Sequence, residues 1–220
     1  MKRPSPPDMG DPGNLAGTGR DHPVSIMISG PTRIGKSRIA AAVAEKIGAE
    51  VVVTDRLRAG FKAARDPAFA RISRYTRLIG GAHARGTDLV LEGVDLLKSL
   101  TNERESLQTL DFFRAEMGCL PAIIGPAPDE SEKAIARAIT RYARRNKDYV
   151  YKQNDGDMQR VRAFAATLAA DHRRLGDLLG NACNRYDIPY FAIRRAEYVD
   201  AVQQITDRIA GWALLPETSE

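Results

Sequence analysis

The sequence has few cysteines and no long apolar run. Only two of its 220 residues are cysteine, Cys119 and Cys183, and their spacing fits neither a metal site nor a redox pair. We therefore expect a cytoplasmic protein without disulfides. No stretch approaches the roughly 18 apolar residues of a membrane-spanning helix, so we expect no membrane partner. Residues 1–22 lack an apolar segment, and we expect no secretory signal there.

The remaining composition is that of a globular protein. Hydrophobic residues make up 43% and charged residues 28%, which excludes collagen-like and wholly disordered chains. The formal net charge is +5, and 25 of the 33 basic residues are arginine. This excess indicates either an anionic ligand, which guanidinium groups bind well, or only the base composition of the genome. Because the basic residues are spread along the chain, the pattern does not favour nucleic acid as a partner.

The chain divides into a short tail and one domain. Residues 1–22 hold four of the twelve prolines and four of the eighteen glycines, so we predict a disordered tail. Residues 23–216 form the predicted single domain. Its apolar patterns predict five strands that alternate with helices, which favours βαβ crossovers and a parallel sheet covered on both faces. The predicted strands are 24–29, 50–53, 88–92, 120–124 and 188–193.

The helices are predicted from apolar spacing and from capping residues. Gly48 is expected to end the first helix, and Asp129 with Glu132 forms a capping-box pattern before another. Residues 146–157 are expected to be a loop, inside a helical lid region at about 126–160. The predicted helices are 36–47, 55–64, 67–85, 101–117, one ending near 146, one from the Asp157 cap to 186, and 198–213.

One motif carries specific chemistry. Residues 30–37 match the pattern G-x-x-x-x-G-K-[ST], after a predicted strand and before a predicted helix. In this arrangement backbone N–H groups and the helix N-terminus converge on phosphate oxygens, the lysine approaches the β- and γ-phosphates, and the serine hydroxyl binds Mg²⁺. The motif therefore predicts a nucleoside triphosphate and Mg²⁺ as ligands. The predicted nucleotide-binding residues are Gly30, Pro31, Thr32, Arg33, Ile34, Gly35, Lys36 and Ser37.

Acidic residues follow the second and third predicted strands. Carboxyl ends of parallel strands face the ligand crevice, so Asp55 is expected beside the γ-phosphate, although an aspartate there is also a favoured helix cap. Glu92 is expected either to hold Mg²⁺ together with Ser37, or to bind the acceptor, or to be an ordinary acid at a strand end. Asp95 is a weaker candidate of the same kind.

These segments resemble a known family. The P-loop, Thr54-Asp55 with Arg58, and Glu92-Gly93-Val94 are similar to P-loop kinases of the nucleoside-monophosphate-kinase group, closest to the branch of 2-phosphoglycerate kinase and zeta-toxin-like kinases. The resemblance implies a three-layer α/β P-loop fold with strand order 2-3-1-4-5. It also implies that Asp55 activates the acceptor. Arg56 and Arg58 are expected to hold an anionic acceptor.

The same resemblance points to a lid. Kinases of this group supply positive charge to the migrating phosphoryl group from arginines after the fourth strand, which here implies Arg137 and Arg141. Lys133, Arg137, Arg141 and Arg144 fall on one helix face at spacings of four, four and three. The alternative interpretation is a solvated basic face. Tyr149 and Tyr151 are expected to stack on a ligand.

The predicted function is Mg-ATP-dependent phosphoryl transfer to a small molecule. Lys36, Asp55, Arg137 and Arg141 are the predicted catalytic residues, and Ser37 with Glu92 the predicted metal-binding ones. Two alternatives stay open. One is a nucleotide-binding regulatory or scaffold protein, which does not need an acid beside the γ-phosphate. The other is an RNA-modifying transferase, because G-P-T-x-x-G-K-S also resembles the tRNA dimethylallyltransferases. The sequence makes no prediction of oligomeric state.

Overall fold

A computed structural model describes residues 22–57 and 67–215, with residues 67–69 described by their backbone alone. The five strands form one parallel sheet in the order β2-β3-β1-β4-β5. This order and the parallel pairing confirm the predicted three-layer P-loop α/β fold. The predicted tail at 1–22 lies, except for His22, outside the described residues. The strands are β1 (Ser25–Ser29), β2 (Glu50–Val53), β3 (Leu89–Glu92), β4 (Leu120–Pro126) and β5 (Tyr190–Ile193).

Parallel register brings the motif-bearing strand ends to one edge. Ile28 of β1 pairs with Glu92 of β3, and Val53 of β2 pairs with the same glutamate. The P-loop after β1 and the acidic turns after β2 and β3 therefore leave the sheet at the same level. The strands themselves are apolar because helices cover both faces of a parallel sheet.

Helices pack on both faces of this sheet. The helices α1 (Lys36–Ile47) and α8 (Tyr198–Leu214) share one apolar cluster, with Ile26 and Ile28 at its centre. The opposite face is covered by α2, α4 and the second half of α7, around Met27 and Leu91. The remaining described helices are α2 (Pro67–Ala84), α3 (Glu103–Ser106), α4 (Gln108–Met117), α5 (Glu132–Asn146), α6 (Tyr149–Gln153) and α7 (Met158–Tyr186).

The first half of α7 packs on α5 instead of on the sheet. Ile135 and Ile139 of α5 meet Ala165 and Ala169 of α7 in a separate small core. The region predicted as a lid, 126–160, contains α5, α6 and only the first residues of α7. No helix in the described ranges is long and apolar enough to cross a membrane.

Several predicted boundaries are wrong for identifiable reasons. The predicted helix 101–117 is interrupted at Leu107, because the carbonyl of Ser106 accepts the N–H of Lys98 at 3.0 Å instead of a helical partner. Ser131, not Asp129, caps α5 by accepting the N–H of Ala134 at 3.2 Å.

Two further segments differ from the sequence prediction. The predicted loop 146–157 contains α6, whose first N–H groups are capped by Asp148. Of the predicted helix 55–64, the structure describes only a 3₁₀ turn over Thr54–Leu57, and the rest lies outside the described residues.

Candidate active site

The loop between β1 and α1 has the geometry that phosphate binding requires. Gly30 has φ +138°, and a β-carbon there would lie 1.9 Å from the carbonyl oxygen of Ile124. Only glycine fits this position. Within the described chain no side chain caps the start of α1, so its first N–H groups remain free for an anion.

Lys36, Ser37 and Glu92 form the centre of the site. The Nζ atom of Lys36 donates to the carbonyl of Pro31 at 2.9 Å and lies 3.8 Å from Oε1 of Glu92. The Ser37 hydroxyl donates to Oε2 of the same carboxylate at 3.0 Å. Lys36 and Glu92 are only 4% and 2% exposed, so their charges face each other away from water.

Two opposing effects act on the pKa of Lys36. Burial lowers the pKa of the Lys36 ammonium, while the negative charges of Glu92, Asp55 and Asp95 raise it. The acidic residues therefore help to keep a buried cation charged until the phosphates of a nucleotide reach it.

The residues present fit a magnesium ion. A hydroxyl and a carboxylate in contact are the oxygen ligands that Mg²⁺ prefers, with phosphate and water completing its shell. No group of three or more His, Cys, Asp or Glu side chains arranged to hold a metal occurs in residues 22–57 and 67–215. A metal ion between Ser37 and Glu92 would therefore depend on the oxygens of the nucleotide.

Asp55 lies at the same edge and caps the turn after β3, while most of the helix that it was predicted to cap lies outside the described residues. Its Oδ1 accepts the N–H groups of Val94 at 3.0 Å and Asp95 at 3.4 Å, at the start of the 3₁₀ turn Val94–Leu96. The side chain is exposed. Asp55 thus joins the turn after β2 to the turn after β3 while remaining exposed to solvent.

Asp95 lies behind Asp55 as a half-buried carboxylate. It accepts the hydroxyls of Thr54 and Tyr75. Burial raises its pKa, and the neighbouring Asp55 raises it further. The close approach needs Gly93, where a β-carbon would lie 2.1 Å from Oγ1 of Thr54 and 2.6 Å from Oδ1 of Asp95. Sequence analysis missed Tyr75, since nothing in its helix marks it as a partner of this turn.

The P-loop is also attached to the lid region. Arg33 has φ +63°, forms an ion pair with Asp148, and places its guanidinium 4.1 Å from the ring centre of Tyr149. Tyr149, which was predicted to stack on a ligand, therefore stacks on a P-loop arginine. The ring centre of Tyr151 lies 4.0 Å from the Nζ of Lys147. Arg33 therefore connects the P-loop to Asp148 and Tyr149, where α5 is followed by α6.

Two further residues surround the P-loop. Both terminal nitrogens of Arg195, after β5, donate to the carbonyl of Arg33 at 3.1 Å. His172 of α7 is 3% exposed, and neither ring nitrogen has a hydrogen-bond partner of normal geometry among the described residues. Burial lowers its pKa to about 4, helped by the positive charge of Arg195. The position of Arg195 after a parallel strand was a usable signal, whereas a single histidine on a helix gave none.

The predicted lid arginines are not brought to the P-loop. Arg137 and Arg141 line a groove between α5 and α7 to which no P-loop residue contributes. At about 100° per residue, they lie roughly 140° and 100° round α5 from Tyr142, the residue that approaches Arg33. The role of Arg137 and Arg141 at the migrating phosphoryl group stays a prediction. Arg56 is exposed beside Asp55, and Arg58 lies outside the described residues.

Comparison with known proteins gives similarity of structure only. No family model matches the chain, and no curated protein matches it significantly. The structure is similar to a gluconokinase from Sinorhizobium meliloti, with TM-score 0.49, 17% identity and coverage of 86% of this chain and 94% of that one. A shikimate kinase from Acinetobacter baumannii, in complex with shikimate, has TM-score 0.47, 13% identity and the same coverages. Neither similarity is close enough to assign an activity or a substrate.

Proposed function

We propose that this protein is a kinase that transfers the γ-phosphoryl group of Mg-ATP to a hydroxyl or phosphate group of a small molecule. The observation that carries the proposal is the contact of Lys36 and Ser37 with one buried carboxylate, Glu92, beside the exposed carboxylate of Asp55. A phosphate-binding loop alone needs only the first three residues. The additional acid gives the site a group that can act on an acceptor.

Each residue has a distinct task in this mechanism. The N–H groups of residues 30–37 bind the β-phosphate, and Lys36 neutralises charge on the β- and γ-phosphates. Ser37 and Glu92 would hold Mg²⁺, which neutralises further charge on the phosphates when bound. Asp55 orients an acceptor hydroxyl and accepts its proton as the oxygen bonds to the γ-phosphorus. The bond between the γ-phosphorus and the β,γ-bridging oxygen breaks in the same step, and ADP leaves.

The acceptor is proposed to be anionic. Arg56 is exposed in the same turn as Asp55 and is free to meet a carboxylate or phosphate group. Two short motifs support an acceptor like those of the 2-phosphoglycerate kinase and zeta-toxin-like branch. They are Thr54-Asp55 and Glu92-Gly93-Val94.

A second candidate function is that of a nucleotide-binding regulator. It is favoured by one observation: Asp55 already has a structural task, since it caps the turn Val94–Leu96. In a regulator this capping alone would explain the aspartate, and no acceptor would exist.

Transfer of label from γ-labelled ATP separates the two candidates. The purified protein is incubated with Mg²⁺ and a panel of small hydroxy acids, polyols and phosphorylated acids, and labelled products are separated by charge. The kinase proposal expects a labelled product that Lys36→Ala abolishes. Lys46→Ala, an exposed lysine of the same helix paired with Asp207, is the matched control and should retain transfer. ATP binding without any labelled product across the panel would favour the regulator.

A further inference from the structure

A second basic site lies between α5 and α7, away from the P-loop. It is a groove of about 720 Å³ to which both helices contribute. This volume is within the range typical of small-molecule sites, about 300–1,000 Å³. The lining residues are Glu132, Lys133, Ala136, Arg137, Thr140, Arg141, Arg144, Met158, Arg162 and Ala166.

The charge of this groove is strongly one-sided. Its lining contains five basic residues and one acidic residue. In the described part of the chain none of the five basic side chains forms an ion pair. Elsewhere on α7 the arginines do have acidic neighbours: Arg160 pairs with Asp157, Arg173 with Asp177, Arg174 with Asp171 and Arg185 with Glu103. Arg162 is thus the one arginine of α7 without an acidic partner in the described part of the chain, and it faces the four unpaired cations of α5.

Most of the basic residues of the groove lie along one side of α5. Lys133, Arg137, Arg141 and Arg144 follow one side of α5 over a length of about 16 Å, and Arg162 faces them from α7. Ala136 of α5 and Ala166 of α7 contribute small side chains to the lining. Several guanidinium groups along one groove suit several phosphate groups on one ligand, because each can bind two oxygens.

The groove is separate from the proposed active site. None of its lining residues belongs to the P-loop or to the turns that carry Asp55 and Asp95. On α5 the contact to the P-loop is made by Tyr142, which lies outside the groove. A ligand in the groove would therefore share no lining residue with a nucleotide at the P-loop.

We propose that this groove is a binding site for a compact polyanion, a small molecule that carries several phosphate groups. Its lining contains no aromatic ring on which a base could stack, which is the usual basis of single-stranded nucleic-acid binding. Its limited volume likewise favours a small ligand. The proposal does not depend on the proposed kinase activity.

Binding of myo-inositol hexakisphosphate, measured by isothermal titration calorimetry without Mg²⁺, tests this proposal. The probe is a compact polyanion with a phosphate group on every ring carbon. We expect one molecule to bind, and the double variant Arg137→Gln/Arg141→Gln to bind it about 100-fold more weakly, since charged hydrogen bonds are lost at two positions. The matched control is Arg77→Gln/Arg208→Gln, which removes the same charge from exposed positions of α2 and α8 and should bind as the wild type does.

Four results would overturn the proposal. In the first, the wild type does not bind the probe; in the second, the matched control weakens binding of the probe as much as Arg137→Gln/Arg141→Gln does. In the third, Lys36→Ala loses binding of the probe; in the fourth, a single-stranded oligouridylate binds more tightly than the probe. The second result would mean that net charge alone attracts the probe. The third would place the probe at the P-loop, and the fourth would make the groove a nucleic-acid site. Circular dichroism of each variant separates loss of binding from loss of fold, and an unfolded double variant is replaced by Arg141→Lys, which should bind more weakly than the wild type.

Discussion

The hydroxyl of Ser37 donates a hydrogen bond of 3.0 Å to the carboxylate of Glu92, which joins the first turn of α1 to the end of β3. The two residues are 55 positions apart, and parallel pairing of β1 with β3 brings them together. The same carboxylate lies 3.8 Å from the ammonium of Lys36. Glu92 therefore links the metal-binding hydroxyl and the phosphate-binding cation of the proposed site.

Replacing Glu92 with glutamine should weaken the use of Mg²⁺ more than the binding of nucleotide. The amide oxygen still accepts from Ser37, but the negative charge that holds the metal is lost. We expect the apparent affinity for Mg²⁺ to fall about 10- to 100-fold. A titration of Mg²⁺ at a fixed concentration of a fluorescent ATP analogue, followed by its fluorescence, measures this effect. An unchanged Mg²⁺ dependence would remove Glu92 from the metal site.

Lys36→Ala should preserve the fold and remove the response to nucleotide. The wild-type protein is expected to gain about 2.7 kcal/mol of stability when Mg-ATP is present at a hundredfold excess over its dissociation constant. Lys36→Ala should lose most of this gain because the mobile cation at the β- and γ-phosphates is gone. Thermal unfolding with and without Mg-ATP measures both. The P-loop prediction fails if millimolar ATP or GTP does not stabilise the wild type.

Two substitutions of Arg33 test its left-handed backbone conformation. A residue other than glycine at φ +63° costs about 1 kcal/mol. Arg33→Ala loses the ion pair with Asp148 and keeps that cost, whereas Arg33→Gly loses the ion pair and is relieved of the cost. Arg33→Gly should therefore be more stable than Arg33→Ala by about 1 kcal/mol in urea unfolding. Equal stability of the two variants would mean that residue 33 does not hold this conformation in solution.

His172 predicts a loss of stability in acid. Its pKa is about 4 in the folded protein, because of burial and Arg195, and near 6.5 when unfolded. Between pH 4 and pH 6.5 the unfolded chain binds more protons at His172 than the folded protein does. The free energy of unfolding therefore keeps its full contribution from neutral His172 above pH 6.5 and loses it as the pH falls to 4. The change amounts to about 3 kcal/mol.

Urea unfolding across that pH range measures the contribution of His172. His172→Leu should show a flatter dependence on pH than the wild type, whereas His22→Leu at an exposed position should not differ from it. An identical slope in His172→Leu would show that another group is responsible.

Local sequence signals predicted the strands and the P-loop well, because each depends on neighbouring residues. The apolar run before Gly30 and the αL glycine at Gly48, where α1 ends, are examples. The break at Leu107 was not predictable in this way, since it depends on Lys98 taking the Ser106 carbonyl. The Arg33–Asp148 pair joins residues 115 positions apart, and only the packed structure shows it. The cap that Asp55 provides for the Val94–Leu96 turn was not predictable from local signals, because the residues it joins are 39 positions apart.

The central claim is that Asp55 acts on an acceptor during phosphoryl transfer. The most direct measurement is the steady-state kinetics of Asp55→Asn with the acceptor found in the label-transfer panel. Asparagine keeps the size of the side chain and an oxygen to cap the Val94–Leu96 turn, but it cannot accept a proton. The matched control is Asp129→Asn, an exposed acid after β4 that pairs with Arg194. We predict that kcat of Asp55→Asn falls about 10²–10⁴-fold while the KM for ATP and the melting temperature stay near those of the wild type. An unchanged kcat would contradict the account and remove Asp55 from the mechanism.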